Sequence, residues 1–225
     1  MGGKNVKNTI LEKMLEIIAP HPCYSCDKGG NILCYSCKND IENEPITLCS
    51  GCFLPILGTC KCDTGRVWVV GARHGGLKRV VDAFKFERVQ SAAPHLAELL
   101  HYRVPILPPN TVVVPVPTRG AHIRQRGYDH ALLLAQSFAK LRNYEVSCVL
   151  GTSLKKAQHN LGKDDRKMQA DQGFYITGKL ETGRPHLIVD DIITTGSTIS
   201  AVRSLIESAG VKTIFMSSLA YQALD

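Results

Sequence analysis

The sequence lacks several features that would assign it to a large class of proteins. No apolar run approaches the roughly 20 residues that a membrane span needs. Aromatic residues make up only 6% of the 225 residues, with a single Trp. The N-terminal segment carries internal charges and lacks a small-residue cleavage site, which argues against a signal peptide. We therefore expect a soluble, cytoplasmic protein without a membrane span.

Cysteine is scarce outside one segment. Eight of the nine cysteines lie between residues 23 and 62, and the ninth, Cys148, stands alone on a predicted strand, where we interpret it as a small core residue. The eight form four closely spaced pairs, Cys23-x-x-Cys26, Cys34-x-x-Cys37, Cys49-x-x-Cys52 and Cys60-x-Cys62. A shift of 26 residues superimposes the first three cysteines on the fifth, sixth and seventh. The segment is therefore an internal repeat of two four-cysteine units.

A pair of zinc ribbons is the interpretation that this repeat favours. Each Cys-x-x-Cys turn presents two thiolates, and two such turns complete the tetrahedral coordination of Zn²⁺. A disulfide framework is the alternative, but it needs an oxidising compartment, for which the N-terminus gives no support. We expect one or two structural zinc ions. The tight Cys60-x-Cys62 pair, and a pairing that interleaves the two repeats, leave the ligand sets open.

Arginine is absent from residues 1–62, which hold six Lys and six Asp or Glu. The formal net charge of +7 therefore arises in residues 63–225, where 21 Lys or Arg face 14 Asp or Glu. Two zinc ions on eight thiolates would make the ribbon region acidic and leave the whole chain near +3. We therefore interpret the ribbons as a structural or protein-contact module rather than as a nucleic-acid clamp.

The segment from Leu187 to Thr198 has the residue order of a ribose-phosphate site. Apolar residues lead to the adjacent carboxylates of Asp190 and Asp191, and a hydroxyl-rich loop then precedes a predicted helix. Loop N–H groups and the helix N-terminus attract a phosphate, and Gly196 lets the backbone approach it closely. The carboxylates would repel a phosphate, but they accept hydrogen bonds from sugar hydroxyls or bind Mg²⁺. The pattern indicates a ribose 5-phosphate ligand.

The same segment resembles the motif by which type I phosphoribosyltransferases bind phosphoribosyl pyrophosphate (PRPP): an apolar strand, two acidic residues, two variable positions and Thr-Thr-Gly-x-Thr. The resemblance implies that Asp190 and Asp191 hold the ribose hydroxyls and orient the ribose for catalysis, while the loop holds the 5′-phosphate. It assigns PRPP binding to Asp190, Asp191, Ile192, Ile193, Thr194, Thr195, Gly196, Ser197 and Thr198.

Three groups of basic residues are candidate ligands for the pyrophosphate of PRPP, because cations neutralise the charge that builds on a leaving pyrophosphate. One group surrounds the predicted helix from Gly76 to Phe86. The second lies in a predicted loop after the strand Thr111 to Val116, and the third in the polar stretch from Thr152 to Gln172. The candidates are Lys78, Arg119, Arg124, Arg126, Lys155, Lys156 and Arg166.

The order of these features resembles the ComF group of phosphoribosyltransferase-like proteins. The cysteine pairs come first, Val114-Pro115-Val116-Pro117 and Arg124-x-Arg126-Gly127-Tyr128 follow, and the PRPP loop comes last. The resemblance runs from Cys23 to about Leu219. The chain departs from the group's pattern at Asp129-His130, where Asn-Gln is usual, and at Gln169, where Asn is usual.

This resemblance implies a PRPP- and Mg²⁺-binding protein that handles incoming single-stranded DNA in natural competence, with competence or recombination proteins as further partners. A nucleobase or amine phosphoribosyltransferase of nucleotide salvage, with purely structural ribbons, is the alternative. The acceptor, and whether transfer occurs at all, stay open. Aromatic rings on which DNA bases could stack are candidates for the first function; they are Trp68, Phe84, Phe86, Tyr102 and Tyr128.

Strand–helix alternation predicts an α/β fold, the parallel sheet of a type I phosphoribosyltransferase with helices on both faces and a small N-terminal zinc-ribbon module. The predicted strands are Val67–Ala72, Thr111–Val116, Val146–Leu150, His186–Asp190 and Lys212–Leu219, and the predicted helices are Gly76–Phe86, Ala92–Tyr102, Tyr128–Arg142 and Ser197–Ala209. We expect an amphipathic helix in residues 1–20, the double ribbon in 21–64, and the phosphoribosyltransferase-like domain in 65–225. Within that domain, the resemblance implies a mobile flap at about 152–172.

Overall fold

The structure is a computed structural model that describes residues 22–56, 60, 62, 65–152 and 173–223. The predicted N-terminal helix and residues 153–172 of the predicted flap lie outside the described residues. The helices are α1 (Tyr35–Glu42), α2 (Gly75–Phe86), α3 (Ala92–Arg103), α4 (Gly120–Arg126), α5 (His130–Arg142) and α6 (Ser197–Ser208). The strands are β1 (Ile46–Cys49), β2 (Arg66–Ala72), β3 (Val112–Pro115), β4 (Glu145–Val146), β5 (Leu150–Thr152), β6 (Phe174–Ile176), β7 (His186–Ile193) and β8 (Ile214–Tyr221).

A six-stranded sheet of order β1-β2-β8-β7-β3-β4 forms the centre of the molecule. The pairs from β2 to β4 are all parallel, as strand–helix alternation predicted, and only β1 runs antiparallel to its neighbour. This edge strand comes from the cysteine-rich segment, which the sequence had not placed in the sheet. A separate antiparallel pair, β5 and β6, flanks residues 153–172.

Strand β7 lies in the middle of the sheet, and its side chains alternate between the two faces. Leu187 and Val189 join the core beneath α2, α3 and α5, whereas Ile188 joins the core beneath α6. A strand covered on both faces must be apolar along most of its length, which explains the run of buried residues that leads to the two aspartates.

The cysteine-rich segment shares the cores of the larger domain. Cys23 and Leu33 belong to the core on the α2, α3 and α5 face, and Leu48 and Phe53 to the core on the α6 face. Arg103, at the end of α3, attaches β1 to β2. Its guanidinium donates to the carbonyl oxygens of Val69 and Ile46, both at 2.8 Å, and also to the Thr47 hydroxyl.

The predicted strand Val146–Leu150 is wrong, and so is the core position of Cys148. The Ser147 amide still donates to the Val113 carbonyl oxygen at 2.9 Å, beside β3, but the Val149 carbonyl accepts from the Thr177 amide at 2.8 Å, beside β6. The chain therefore leaves one sheet for the other between these residues. Cys148 lies at this crossing and is exposed.

The predicted loop that carries Arg119, Arg124 and Arg126 is in part a helix. Residues 121–126 contain neither Gly nor Pro, and they form α4 between Arg119 and Gly127. Gly127 has φ 85°, the left-handed conformation that commonly ends a helix, and its amide donates to the Ile123 carbonyl oxygen at 2.7 Å. Within the described residues, no helix is both long enough and apolar enough to cross a bilayer.

Replacing Arg103 with Met should lower the free energy of unfolding by about 2 kcal/mol, because charged hydrogen bonds to buried carbonyls are lost. Urea unfolding of the metal-loaded protein measures the change. Lys140→Met, which removes an exposed cation from α5, is the matched control and should change stability by less than about 0.5 kcal/mol. Equal stability of the two variants would show that Arg103 does not hold β1 on the sheet.

Candidate functional site

The carboxyl ends of β3 and β7 meet at one edge of the sheet, because the two strands are parallel neighbours. A cavity of about 330 Å³ opens there, close to the lower limit of about 300 Å³ for small-molecule pockets. Its lining includes both aspartates of β7, the residues that follow β3, and side chains from α2, α4 and α5. The polar members of the lining are Lys85, Thr118, Arg119, His122, Arg126, His130, Asp190, Asp191 and Thr198.

Asp191 is paired with side chains from two helices. Its Oδ2 accepts from Lys85 Nζ of α2 at 2.7 Å and from His130 Nε2 of α5 at 2.6 Å. Burial raises the pKa of Asp191, but the His130 hydrogen bond and the Lys85 charge outweigh it, so the pKa falls below its usual range. Because both donors use Oδ2, the other oxygen, Oδ1, is the one available to a ligand hydroxyl.

The second neighbour of His130 is Arg126. Arg126 NH1 lies 2.9 Å from His130 Nδ1, and a guanidinium can only donate, so Nδ1 must accept. The ring proton is then on Nε2, where it is donated to Asp191. Arg126, His130 and Asp191 thus form one chain of hydrogen bonds.

Asp190 has different hydrogen-bond partners, although its carboxyl group lies beside that of Asp191 and lines the same cavity. Its Oδ1 accepts from the Asp191 amide at 2.9 Å. Burial, together with the neighbouring negative charge of Asp191, raises the pKa of Asp190 to about 7. The pair therefore consists of one carboxyl group with a lowered pKa and one with a raised pKa.

The hydroxyl-rich loop between β7 and α6 has the conformation of a small anion cradle. Gly196 has φ 76° and precedes α6, which starts at Ser197. The Ser197 amide donates to Thr195 Oγ1 at 3.2 Å, and that hydroxyl donates to Ser197 Oγ at 2.9 Å. A cavity of about 20 Å³, lined by Asp190 and residues 192–199, lies inside the loop. The predicted PRPP residues, 190 to 198, therefore surround one continuous site.

The candidate pyrophosphate residues fall into separate places. Arg119 and Arg126 line the large cavity. Arg124 is exposed on the same helix as Arg126 but does not line it, and Lys78 Nζ faces Asp82 of α2 at 3.6 Å. Lys155, Lys156 and Arg166 lie outside the described residues.

Lys85 and His130 were not among the predicted site residues, although each left a signal in the sequence. Lys85 follows Leu77 and Val81 at helical spacing, on the apolar stripe of α2, where a lysine needs an anionic partner. His130 is one of the two departures from the ComF pattern at Asp129-His130. Asp129 caps α5 by accepting from the Leu132 amide at 3.1 Å, and it also accepts from Thr118 Oγ1 at 3.0 Å.

Two of the five candidate stacking aromatics are exposed. Phe84 is fully buried, and Trp68 and Tyr128 are partly buried, whereas 57% of Phe86 and 66% of Tyr102 is accessible. Phe86 lies beside the cavity, since its ring centre is 5.3 Å from Arg126 Cζ and 5.9 Å from Lys85 Nζ. Tyr102, by contrast, pairs with Lys38 and does not line the cavity.

The eight clustered cysteines form two separate candidate metal centres. Cys23, Cys26, Cys34 and Cys37 make one group and Cys49, Cys52, Cys60 and Cys62 the other, with all Sγ atoms of a group within 4.8 Å of one another. The pairing is therefore sequential and not interleaved. A Zn–S bond of about 2.3 Å gives a tetrahedron with edges of about 3.8 Å. The measured Sγ–Sγ distances of 3.7 Å between Cys26 and Cys34 and 3.6 Å between Cys52 and Cys60 fit it.

A backbone amide also donates to one sulfur atom in each centre. The Cys34 amide donates to Cys23 Sγ at 3.4 Å, and the Gly51 amide donates to Cys49 Sγ at 3.3 Å. Burial raises the pKa of Cys23, but the backbone donors outweigh it and lower the pKa to about 6. A thiolate is the form that binds a metal ion.

Comparison with known proteins identifies relatives along most of the chain. No family model matches the sequence. Competence protein F of Haemophilus influenzae is 26% identical and covers 84% of this chain and 97% of its own length. The DNA utilization protein YhgH of Escherichia coli K12 is 28% identical, with 88% and 96% covered. Competence protein ComFC of Streptococcus pneumoniae is 26% identical, with 83% and 86% covered.

Solved structures with a similar fold are more distant. An allosteric regulatory enzyme of purine biosynthesis aligns with a TM-score of 0.46 and 15% identity, over 62% of this chain and 30% of its own, longer chain. A hypoxanthine phosphoribosyltransferase of Staphylococcus aureus aligns with a TM-score of 0.34 and 13% identity, over 61% and 73%. These relatives, competence proteins and DNA utilization proteins, are similar to the chain over 83–88% of its length.

Proposed function

We propose that the cavity at the end of β7 binds PRPP with Mg²⁺, and that the protein uses this site in handling single-stranded DNA. The proposal rests on one observation: two carboxyl groups with different hydrogen-bond partners lie beside a glycine-containing loop at the start of α6. Sugar hydroxyls need acceptors and a phosphate needs N–H donors, and the two sets of groups lie side by side here.

The ribose would bind against the two aspartates. Asp190 and Asp191 both line the cavity and would accept from the 2′- and 3′-hydroxyls. Lys85 and His130 fix the orientation of Asp191 through its other oxygen. The 5′-phosphate would then lie in the loop from Thr194 to Thr198. The Ser197 hydroxyl would donate to it, and the Ser197 amide and the Thr195 hydroxyl would exchange their hydrogen bonds within the loop for bonds to the phosphate.

The pyrophosphate would extend toward Arg119 at the other side of the cavity. Departure of pyrophosphate breaks the bond between the anomeric carbon and oxygen, and the bonding electrons leave with the pyrophosphate. Mg²⁺ bound with PRPP would neutralise part of that charge, and the carboxylate oxygens of the site are ligands that suit this ion. The aspartates would hold the ribose while an acceptor attacks the electron-poor carbon from the opposite face.

A nucleic-acid strand fits the surface next to this cavity. Phe86 offers an exposed ring beside the cations Lys85 and Arg126, and Arg119 and Arg124 add exposed positive charge on and before α4. Surfaces that bind single strands combine such charges with rings on which bases stack. The names of the relatives, competence protein F and DNA utilization protein, agree with a DNA-related role.

Changing Asp190 or Asp191 to Asn should weaken Mg²⁺–PRPP binding between about 10-fold and 100-fold, since each change removes a charged hydrogen-bond acceptor for the ribose. Isothermal titration of the zinc-loaded protein measures the affinity. Asp82→Asn, on the outer part of α2, is the matched control and should bind like the wild type. Wild-type affinity in both site variants would exclude the aspartates as the ribose ligands.

The two aspartates should titrate in different pH ranges. In protein labelled with ¹³C at aspartate, the Asp190 carboxyl signal should move with a midpoint near pH 7, and the Asp191 signal should stay that of a carboxylate down to acidic pH. Saturating Mg²⁺–PRPP should lower the Asp190 midpoint, because hydroxyl donors favour the ionised form. The spectra of Asp190→Asn and Asp191→Asn show which signal belongs to which aspartate. Equal midpoints near the usual value of about 4 would contradict the proposed site.

Changing Phe86 to Ala should weaken binding of a single-stranded oligonucleotide by roughly fivefold to 100-fold, the loss of one stacked base. Tyr102→Ala removes an equally exposed ring from outside the cavity and is the control. Fluorescence anisotropy at several salt concentrations measures both affinities. If Phe86→Ala lost affinity for free nucleobases but kept its affinity for the oligonucleotide, the salvage enzyme would be favoured instead.

Arg124→Ala should make the affinity for the oligonucleotide less dependent on salt. The slope of log affinity against log salt should fall by about 0.7, the value for one phosphate contact.

A further inference from the structure

The second ribbon is in direct contact with the loop proposed to hold the phosphate. Phe53 follows Cys52 in the chain, and its ring packs on Gly196, so closely that a Cβ atom on Gly196 would overlap the ring. Both residues are buried, and Phe53 is only 6% exposed. Phe53 is not part of the lining of the small cavity inside the loop. The ring therefore supports the loop from outside the cradle and leaves its interior free for a ligand.

The conformation of Phe53 depends on the cysteine turn that precedes it. Its φ is 57°, a left-handed value that is uncommon for a bulky residue and needs support from its surroundings. The Phe53 amide donates to the Cys49 carbonyl oxygen at 2.9 Å, and the Cys49 amide donates to the Leu54 carbonyl oxygen at 2.9 Å. Cys49 and Cys52, which bound this turn, are two of the four candidate metal ligands. A metal ion on these thiolates would fix the turn at both ends.

A second contact joins the same turn to the helix after the loop. Arg203 NH1 of α6 donates to Ser50 Oγ at 3.4 Å, and Ser50 lies between the two cysteines of the turn. Phe53 also shares a core with Ile193 and Ile199, the buried residues just before and just after the loop. The turn thus contacts the loop at its glycine and at both of its ends.

The first ribbon contacts a different element. Ser25, between Cys23 and Cys26, packs on Gly76 at the start of α2, where a Cβ atom would also cause an overlap. Arg79 of α2 donates to the Ser25 carbonyl oxygen. Each ribbon therefore rests on a glycine near the start of one helix, but only the second rests on the phosphate loop.

We propose that the metal ion of the second ribbon sets the conformation of the phosphate loop, with Phe53 as the positioning residue between them. The inference rests on the proposed PRPP site. Because coupling between two binding sites is reciprocal, the metal should tighten binding of PRPP, and PRPP should tighten binding of this metal. The first ribbon, which has no contact of this kind, serves as an internal reference.

The test compares the two ribbons within one wild-type protein. The zinc-loaded protein is incubated with a chelator and a thiol-alkylating reagent, with and without saturating Mg²⁺–PRPP, and the labelling rate of each cysteine is measured by peptide mass spectrometry. PRPP should slow labelling of Cys49, Cys52, Cys60 and Cys62 by about fivefold or more and leave the first ribbon unchanged. Equal slowing of both ribbons, or no change in either, would overturn the inference.

A pair of matched variants tests the role of Phe53 itself. Phe53→Leu keeps an apolar side chain but loses the flat ring against Gly196, and it should weaken PRPP binding by about fivefold or more in calorimetry. Tyr24→Leu also removes an aromatic ring from a cysteine turn, in the first ribbon directly after Cys23, and should bind as the wild type does. Equal affinity of Phe53→Leu and the wild type would also overturn the inference. If wild-type protein binds no PRPP, the proposed function itself fails, and this inference with it.

Discussion

Two adjacent carboxylates buried in the central strand are the constraint on which much of the structure depends. A buried carboxylate is costly unless it is paired or neutralised, and two neighbours cannot both be left charged without support. Both carboxyl groups line the same cavity at the end of β7. Asp191 is paired by Lys85 from α2 and by His130 from α5, so both helices are tied to the same atom of the strand. Asp190 is neutralised in part by taking up a proton. The positions of the helices and the chemistry of the site therefore have one common cause.

The cysteine-rich segment belongs to this arrangement more closely than its place in the sequence indicates. Its strand β1 covers one edge of the sheet, which would otherwise expose unpaired backbone groups. Its two cysteine turns rest on Gly76 and Gly196, each near the start of a helix that borders the cavity. The segment thus covers a sheet edge and contacts the starts of two helices.

The parts of the molecule that the sequence predicted well are those encoded by neighbouring residues. Strand β7, the loop after it and α6 form a continuous pattern, and the metal groups follow from cysteine spacing. The partners of Asp191 could not be found in this way, since His130 is 61 residues distant and Lys85 lies on an earlier helix. The error at Cys148 has a similar origin. A β-branched run reveals that a segment is extended, but not that it leaves one sheet and joins another at its midpoint.

The position of β8 in the sheet determines when the domain can form during synthesis. It is the last strand in the chain, yet it lies between β2 and β7 and pairs with both. Until residues 214–221 leave the ribosome, β1 and β2 cannot join the half of the sheet that holds the aspartates. Joining of the two parts of the sheet must therefore wait for the synthesis of β8.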